Sequence, residues 1–134
     1  MTENDQLRHG RTCVTDLQVH LVFVTKYRRN VFDDTILTSM ETIMRNVCHD
    51  LDARLIEFNG EDDHVHLLVE YPPKLPVSTL VNSLKGVSSR LLRKQYKLKT
   101  HHNHLWSPSY YAASSGGTTL ETLKTYIRNQ RRPD

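Results

Sequence analysis

His64-Val65-His66-Leu67-Leu68-Val69-Glu70-Tyr71 is the stretch from which the architecture can be read. Side chains alternate across an extended strand, so Val65, Leu67, Val69 and Tyr71 fall on one face and His64 and His66 on the other. The apolar face needs a core, and the opposite face carries two imidazoles. Pro72, Pro73 and Pro76 stop the strand. Just upstream, Arg54 to Phe58 reads as a second short strand. The linking Asn59-Gly60-Glu61-Asp62-Asp63 has the composition of a hairpin turn.

Outward from this hairpin the pattern changes period. Leu17 to Lys26 is rich in β-branched and aromatic residues and reads as a central strand, with Val19, Leu21 and Phe23 on one face and His20 and Val22 on the other. Asp33 or Asp34 can cap a helix whose apolar residues Ile36, Leu37, Met40, Ile43, Met44, Val47 and Leu51 follow the helical rhythm. After the prolines, Ser78 offers a cap for a helix from about Thr79 to Tyr96, with Leu80, Val81, Leu84, Val87, Leu91 and Leu92 as its buried stripe. Lys97 to His104 is a polar loop, Ser109 to Ala113 a fourth strand, and Ser114-Ser115-Gly116-Gly117 a flexible joint. Thr118-Thr119-Leu120-Glu121 forms a capping box that opens a last helix running to about Gln130. Residues 1–12 are polar and unpatterned and are expected to form a loose arm.

The order strand, helix, hairpin, helix, strand, helix implies an α+β fold, a ferredoxin-like or RRM-like antiparallel sheet backed by two helices. The third helix is left over. On its Gly-Gly joint it can reach the sheet's other face or a partner chain.

A length of 134 residues suits one domain, 1–134. With 37% hydrophobic and 25% charged residues the chain has the balance of a globular protein with a wet surface. No run approaches the roughly 18 apolar residues of a spanning helix, and the polar start lacks a signal pattern, so no membrane association and a cytoplasmic location are expected. Cys13 and Cys48 have no metal-ribbon or redox spacing and read as reduced. A net charge of +3 and a pI near 9.0 favour a polyanionic partner only if the basic residues cluster.

Two histidines on one face of a strand are a ready pair of nitrogen ligands. For a bare H-x-H, however, half-buried polar residues are the commoner explanation. A second group near the chain's end changes the balance. Tyr126 and Gln130 stand at i and i+4 on the last helix, beside Leu120, Leu123 and Ile127, so a phenol and an amide oxygen would be presented together. Taken alone these read more simply as an edge tyrosine and a solvated glutamine. Together, two histidines and one amide oxygen make an incomplete, fairly hard site without thiolate, suited to Mg²⁺ or Mn²⁺ with positions open to phosphate oxygens.

Five blocks in order carry a family resemblance: Val19-His20-Leu21-Val22-Phe23-Val24-Thr25-Lys26-Tyr27-Arg28-Arg29, Asp63-His64-Val65-His66-Leu67-Leu68-Val69, Leu84-Lys85-Gly86-Val87-Ser88-Ser89-Arg90, Leu105-Trp106-Ser107-Pro108-Ser109-Tyr110-Tyr111 and Tyr126-Ile127-Arg128-Asn129-Gln130. Over almost its whole length the chain resembles the single-tyrosine HUH transposases, the TnpA type of the smallest bacterial and archaeal insertion sequences. The resemblance implies that His64 and His66 bind metal, that Tyr126 is the nucleophile and Gln130 the third ligand. It also implies a homodimer in which the tyrosine helix of one subunit completes the histidine site of the other. The tetrad His101-His102-Asn103-His104 has no counterpart in that pattern and reads as surface.

A phenol is a poor nucleophile at neutral pH, and a divalent ion on the phosphate would lower the barrier. The expected reaction is attack of Tyr126 on single-stranded DNA at hairpin-bearing element ends, leaving a 5′-phosphotyrosine and a free 3′-hydroxyl, with no ATP. Lys26, Arg28, Arg29, Lys85, Arg90, Arg93 and Lys94 are the candidate phosphate contacts, against the plain alternative of solvated Lys/Arg faces. Trp106, Tyr110 and Tyr111 could stack on bases, though core packing is the simpler expectation for at least two. A repeat-associated relative that processes genomic hairpins would use the same residues. A non-catalytic single-strand binding module or a plain metalloprotein would leave part of the set unexplained.

Overall fold

Two short strands, β1 (Arg8–His9) and β2 (Val14–Thr15), pair as a hairpin ahead of the main domain. The domain follows as β3 (Gln18–Val24), α1 (Asp34–Asp50), β4 (Arg54–Gly60), β5 (His64–Glu70), α2 (Val77–Gln95), β6 (Tyr111–Ser114) and α3 (Leu120–Arg128). This structure is a computed structural model and describes residues 7–98, 100, 103–114 and 120–133.

The four long strands form one sheet in the order β4-β5-β3-β6, with every neighbouring pair antiparallel. That is the ferredoxin-like βαββαβ arrangement expected from the order of elements. Alternation then divides the sheet's side chains as the sequence implies. Val19, Leu21 and Phe23 of β3, Leu55 and Phe58 of β4, and Val65, Leu67 and Val69 of β5 enter one core with Leu37, Met40 and Met44 of α1 and Leu80, Leu84 and Leu92 of α2. Leu68 and Ile127 are fully buried but lie outside that core. They belong to the opposite face, where α3 packs on β4 and β5. The leftover helix thus covers the histidine face of its own chain's sheet.

Local chemistry explains the boundaries. Asp33 caps α1 through its side chain, which accepts from the Ile36 amide at 2.8 Å. For α2 the cap differs from expectation: the helix starts directly after Pro76, which is the N-cap and makes no side-chain bond, so Ser78 lies inside it. Its buried stripe differs too. Leu91 is 36% exposed, whereas Ser88 is buried because its hydroxyl receives the indole N–H of Trp106 at 3.0 Å. The strand at Arg54 continues to Gly60, because Gly60 has no side chain to collide with β5. A methyl there would stand 2.5 Å from the His64 carbonyl oxygen.

The expected loose arm is corrected from residue 7 onward. Arg8 of β1 reaches over to the fully buried Glu70 with two 2.7 Å hydrogen bonds, and Arg54 adds a third at 3.1 Å. A buried carboxylate demands such partners, which ties the N-terminal hairpin to the end of β5. Thr118 and Thr119 of the proposed capping box, and Ser115 to Gly117 of the joint, lie outside the described residues. Among the described residues no helix is long and apolar enough to cross a membrane.

Candidate active site

The register of β5 places the two histidines. His66 pairs with Val22 of β3 and with Asn59 of β4, and His64 pairs with Val24, so both rings rise from the middle of the sheet on the face that α3 covers. His64 is oriented from behind. Its Nδ1 lies 2.8 Å from an Asp63 carboxylate oxygen, and the other Asp63 oxygen accepts from Arg28 at 3.0 Å. A carboxylate only accepts, so Nδ1 carries the proton and the Nε2 lone pair faces forward. There it meets Gln130 Oε1 at 3.5 Å. Gln130 donates its amide nitrogen to the Tyr126 carbonyl at 3.4 Å, which turns its oxygen toward His64. In the tautomer with a bare Nε2 two acceptors face one another, an arrangement that a shared cation would satisfy, and the Glu61 carboxylate lies 4.0 Å from the same Nε2.

Gln130 reaches this position by a different route from the one expected. The helix ends at Arg128, so Gln130 is not on its face at i+4 but just beyond its end, where its amide donates to the Ile127 carbonyl at 3.2 Å. Asn59 holds that end by donating to the carbonyls of Arg128 and Gln130 at 3.0 Å each.

Tyr126 remains on α3 and is 53% exposed. Its ring centroid lies 5.5 Å from that of His66, nearly perpendicular, and 6.5 Å from that of His20. His20, Val22, His66, Tyr111, Thr122, Leu123 and Tyr126 line an open cavity of about 500 Å³. The Tyr126 ring therefore lies beside the His66 and His20 rings within a single chain, on the wall of this open cavity.

The electrostatics keep these rings available as ligands. Burial, reinforced by repulsion from His20 and His64, pushes the His66 pKa down to about 4, and burial also lowers that of His20. Near neutral pH both are uncharged. Burial by itself would raise the Asp63 carboxyl, but hydrogen bonds from His64 and Arg28 outweigh it and hold the carboxyl below its ordinary range. The donor set of two imidazoles and an amide oxygen fits a divalent ion with exchangeable positions. Among the described residues no three His, Cys, Asp or Glu side chains group as a metal site, so any site here depends on the glutamine.

The basic candidates do not all gather here. Arg28 is committed to Asp63. Lys85 is half-buried and donates to the carbonyls of Ser107 at 2.6 Å and Ser109 at 3.3 Å, pinning the loop before β6. Arg93 bonds Ser89 on its own helix. Arg29, Arg90 and Lys94 are exposed and Lys26 is partly so, with Arg90 and Lys94 on α2, across the sheet from the histidines. Of the aromatic trio only Trp106 is buried; Tyr110 is 42% and Tyr111 55% exposed, against the expectation of core packing. Asp63, Asn59 and His20 were missed by motif reading, although Asp63 and His20 sit within quoted blocks, Asn59 opens the hairpin turn, and His20 stands on the outward face of its strand by simple alternation.

A family model described as "Transposase IS200 like" matches residues 13–130. The transposase for insertion sequence element IS200 of Salmonella typhimurium is 33% identical over all of this chain and 88% of its own length. The ISDra2 transposase TnpA of Deinococcus radiodurans is 30% identical over 93% of this chain and 91% of its own length. A transposase crystal structure from Deinococcus radiodurans R1 superposes with a TM-score of 0.76 at 30% identity, covering 93% of this chain and 98% of that one. The structure of a REP-associated tyrosine transposase bound to a REP hairpin shares the fold, with a TM-score of 0.57 at 11% identity over 90% of this chain and 67% of that one. On sequence and on fold, the chain belongs to the IS200-like transposase family.

Proposed function

We propose that this transposase cleaves and rejoins single-stranded DNA at hairpin-bearing element ends through a 5′-phosphotyrosine on Tyr126, with a divalent ion, Mg²⁺ or Mn²⁺, held by His64, His66 and Gln130. The observation that carries the reading is convergence: the Tyr126 ring stands 5.5 Å from the His66 ring while Gln130 meets His64 at 3.5 Å. When bound, the ion would supply Lewis-acid neutralisation of phosphate charge. The protein's own groups do the rest. Tyr126 Oη attacks the phosphorus and gives up its phenolic proton to solvent, the bond to the 3′-oxygen breaks, and that oxygen takes up a proton from solvent and leaves as a free 3′-hydroxyl. Attack by another 3′-hydroxyl on the phosphotyrosine reverses the step, and because the phosphodiester energy is conserved no nucleotide triphosphate is required. The hairpin in the structure of the REP-associated neighbour supports a folded single strand as substrate. Exposed Arg29 directly follows the Lys26–Arg28 turn, whose Arg28 bonds Asp63, and is the phosphate contact we favour among the candidates. The reaction is placed in the cytoplasm, with its DNA.

The test is incubation of single-stranded element-end DNA with Mg²⁺ and separation of covalent protein-DNA adducts. Wild type is expected to form one and Tyr126→Phe none; an adduct that persists in the variant rules the assignment out. His64→Ala and His66→Ala are expected to keep hairpin binding and lose cleavage.

The assembly is proposed to be a homodimer. Within one chain α3 already brings Tyr126 to its own histidines, and the trans arrangement would exchange that helix between subunits. Mixing Tyr126→Phe with His64→Ala subunits separates the two: restored adduct formation requires a tyrosine serving its partner's histidines, and no restoration means each chain serves itself.

A further inference from the structure

We propose that His20 is a positioning residue for His66: its Nε2 accepts the His66 Nδ1 proton and so leaves the His66 Nε2 lone pair free to bind the ion. This rests on the metal reading above and assigns a residue which that reading leaves without a role.

The geometry is that of a directed bond. His20 on β3 is the diagonal neighbour of His66 on β5, because Val22 pairs with His66 and His20 with Leu68. His20 Nε2 and His66 Nδ1 are 3.0 Å apart. The ring centroids are 5.3 Å apart with the planes only 22° from parallel. The excess of the centroid distance over the nitrogen distance is what two ring radii occupy, so the rings meet edge to edge in nearly one plane. Face-over-face stacking would bring the centroids closer together than this. The Tyr111 and Tyr126 rings lie at 75° and 77° to the His20 ring, with centroids 5.8 and 6.5 Å away.

The arrangement mirrors the other ligand. Each histidine of the pair has its Nδ1 engaged from behind, His64 by Asp63 at 2.8 Å and His66 by His20. Such outer partners fix the tautomer and the ring plane of a metal-binding histidine. The reverse tautomer, with His20 donating, would put the His66 proton on Nε2 and block it as a ligand. Asp63 brings a charge to its histidine and His20 brings none, so one side of the site is anchored by a carboxylate and the other by a neutral acceptor.

The experiment measures Mn²⁺ affinity of the full chain by electron paramagnetic resonance, independently of DNA cleavage. His20→Leu, which keeps bulk but offers no acceptor, is expected to weaken Mn²⁺ binding by about 10–100-fold, the usual effect of losing an outer partner. His20→Gln, whose amide oxygen can take the place of Nε2, is expected to recover most of the loss. Equal affinity of His20→Leu and wild type overturns the proposal, and so does His20→Gln binding as poorly as His20→Leu with its fold intact. ¹⁵N chemical shifts of the His66 ring in the metal-free wild type judge the bond even where a variant fails to fold. A protonated Nδ1 and a bare Nε2 support it, and the reverse overturns it. Should wild type and His64→Ala alike take up no Mn²⁺, the metal reading fails, while the ring shifts still decide the His20 bond.

Discussion

The Arg132 guanidinium donates to the Asn59 side-chain oxygen at 2.6 Å, and the same Asn59 donates its amide to the carbonyls of Arg128 and Gln130. Asn59 sits on β4, the edge of the sheet, with α1 on one face and α3 on the other. Arg132 continues past that edge to Thr38 at 3.1 Å and Glu41 at 3.1 Å on α1. The tail after α3 is therefore strapped around the sheet edge, and Gln130 lies within the strap.

A nine-residue helix has little stability of its own, so its docking depends on Ile127 and on this strap. Asn59→Ala removes two donations from a buried amide and is expected to cost on the order of 1–3 kcal/mol. Thermal unfolding should report a lower Tm, and Mn²⁺ affinity should fall because Gln130 is no longer held against His64. Hairpin binding should change little. A wild-type Mn²⁺ affinity in Asn59→Ala would show that Gln130 is placed by something other than the strap.

Gly60→Ala tests the support beneath His64. The added methyl would lie 2.5 Å from the His64 carbonyl oxygen and 2.8 Å from a Val65 methyl, and backbone cannot swing aside as a side-chain tip can. Displacing β5 should cost about 1–3 kcal/mol, as overpacking does. Cleavage should fall more than stability accounts for, measured as adduct formed well below the variant's own Tm. Unchanged cleavage would mean that the start of β5 tolerates displacement.

The sheet, the two backing helices and the histidine face were legible because each rests on a local period, two for β3 and β5 and the helical rhythm for α1 and α2. The Tyr126–His66 meeting was legible only through family resemblance, since no local rule brings residues 60 positions apart into contact. What sequence reasoning missed is polar and long-range. Arg8 with Glu70, Asn59 with Arg132 and His20 with His66 are pairings set by the three-dimensional register. The carbonyl contacts of Lys85 were hidden for a related reason, because charge on a helix reads the same whether its tip ends in water or on a carbonyl.

Whether Lys85 contacts phosphate can be tested. With its ammonium spent on Ser107 and Ser109 and lying near the rings of Phe23 and Tyr110, Lys85 is not free to displace counterions from DNA. Binding of hairpin DNA should lose affinity with log salt at the same slope in Lys85→Met as in wild type, whereas Arg29→Ala should reduce the slope by about 0.9. A reduced slope for Lys85→Met would return this residue to the phosphate-contact set.

The two thiols should behave oppositely. Burial pushes the Cys48 thiol up to about 12, and it is fully enclosed by the core, whereas Cys13 is exposed. A raised thiol pKa leaves almost no thiolate at pH 8, so a disulfide reagent should titrate Cys13 promptly and Cys48 only after denaturant is added. Rapid reaction of both in the folded protein would contradict the packing of α1.

Glu70 offers the sharpest test of the N-terminal hairpin. It is wholly buried, and among the described residues its carboxylate takes two hydrogen bonds from Arg8 and one from Arg54. Arg8→Ala leaves Arg54, itself half-exposed, as the remaining partner, so the loss should fall at or below the low end of the 3–5 kcal/mol typical of a broken buried pair, on the order of 2 kcal/mol. Replacing both ions, Glu70→Leu with Arg8→Met, removes the uncompensated charge and should recover much of that loss, because a buried ion pair often contributes little over an apolar pair of similar size. Urea unfolding of the single and double variants measures the difference. Equal stability of Arg8→Ala and wild type would detach β1 and β2 from the fold, and the expectation of a loose arm would then stand for residues 7–12 after all.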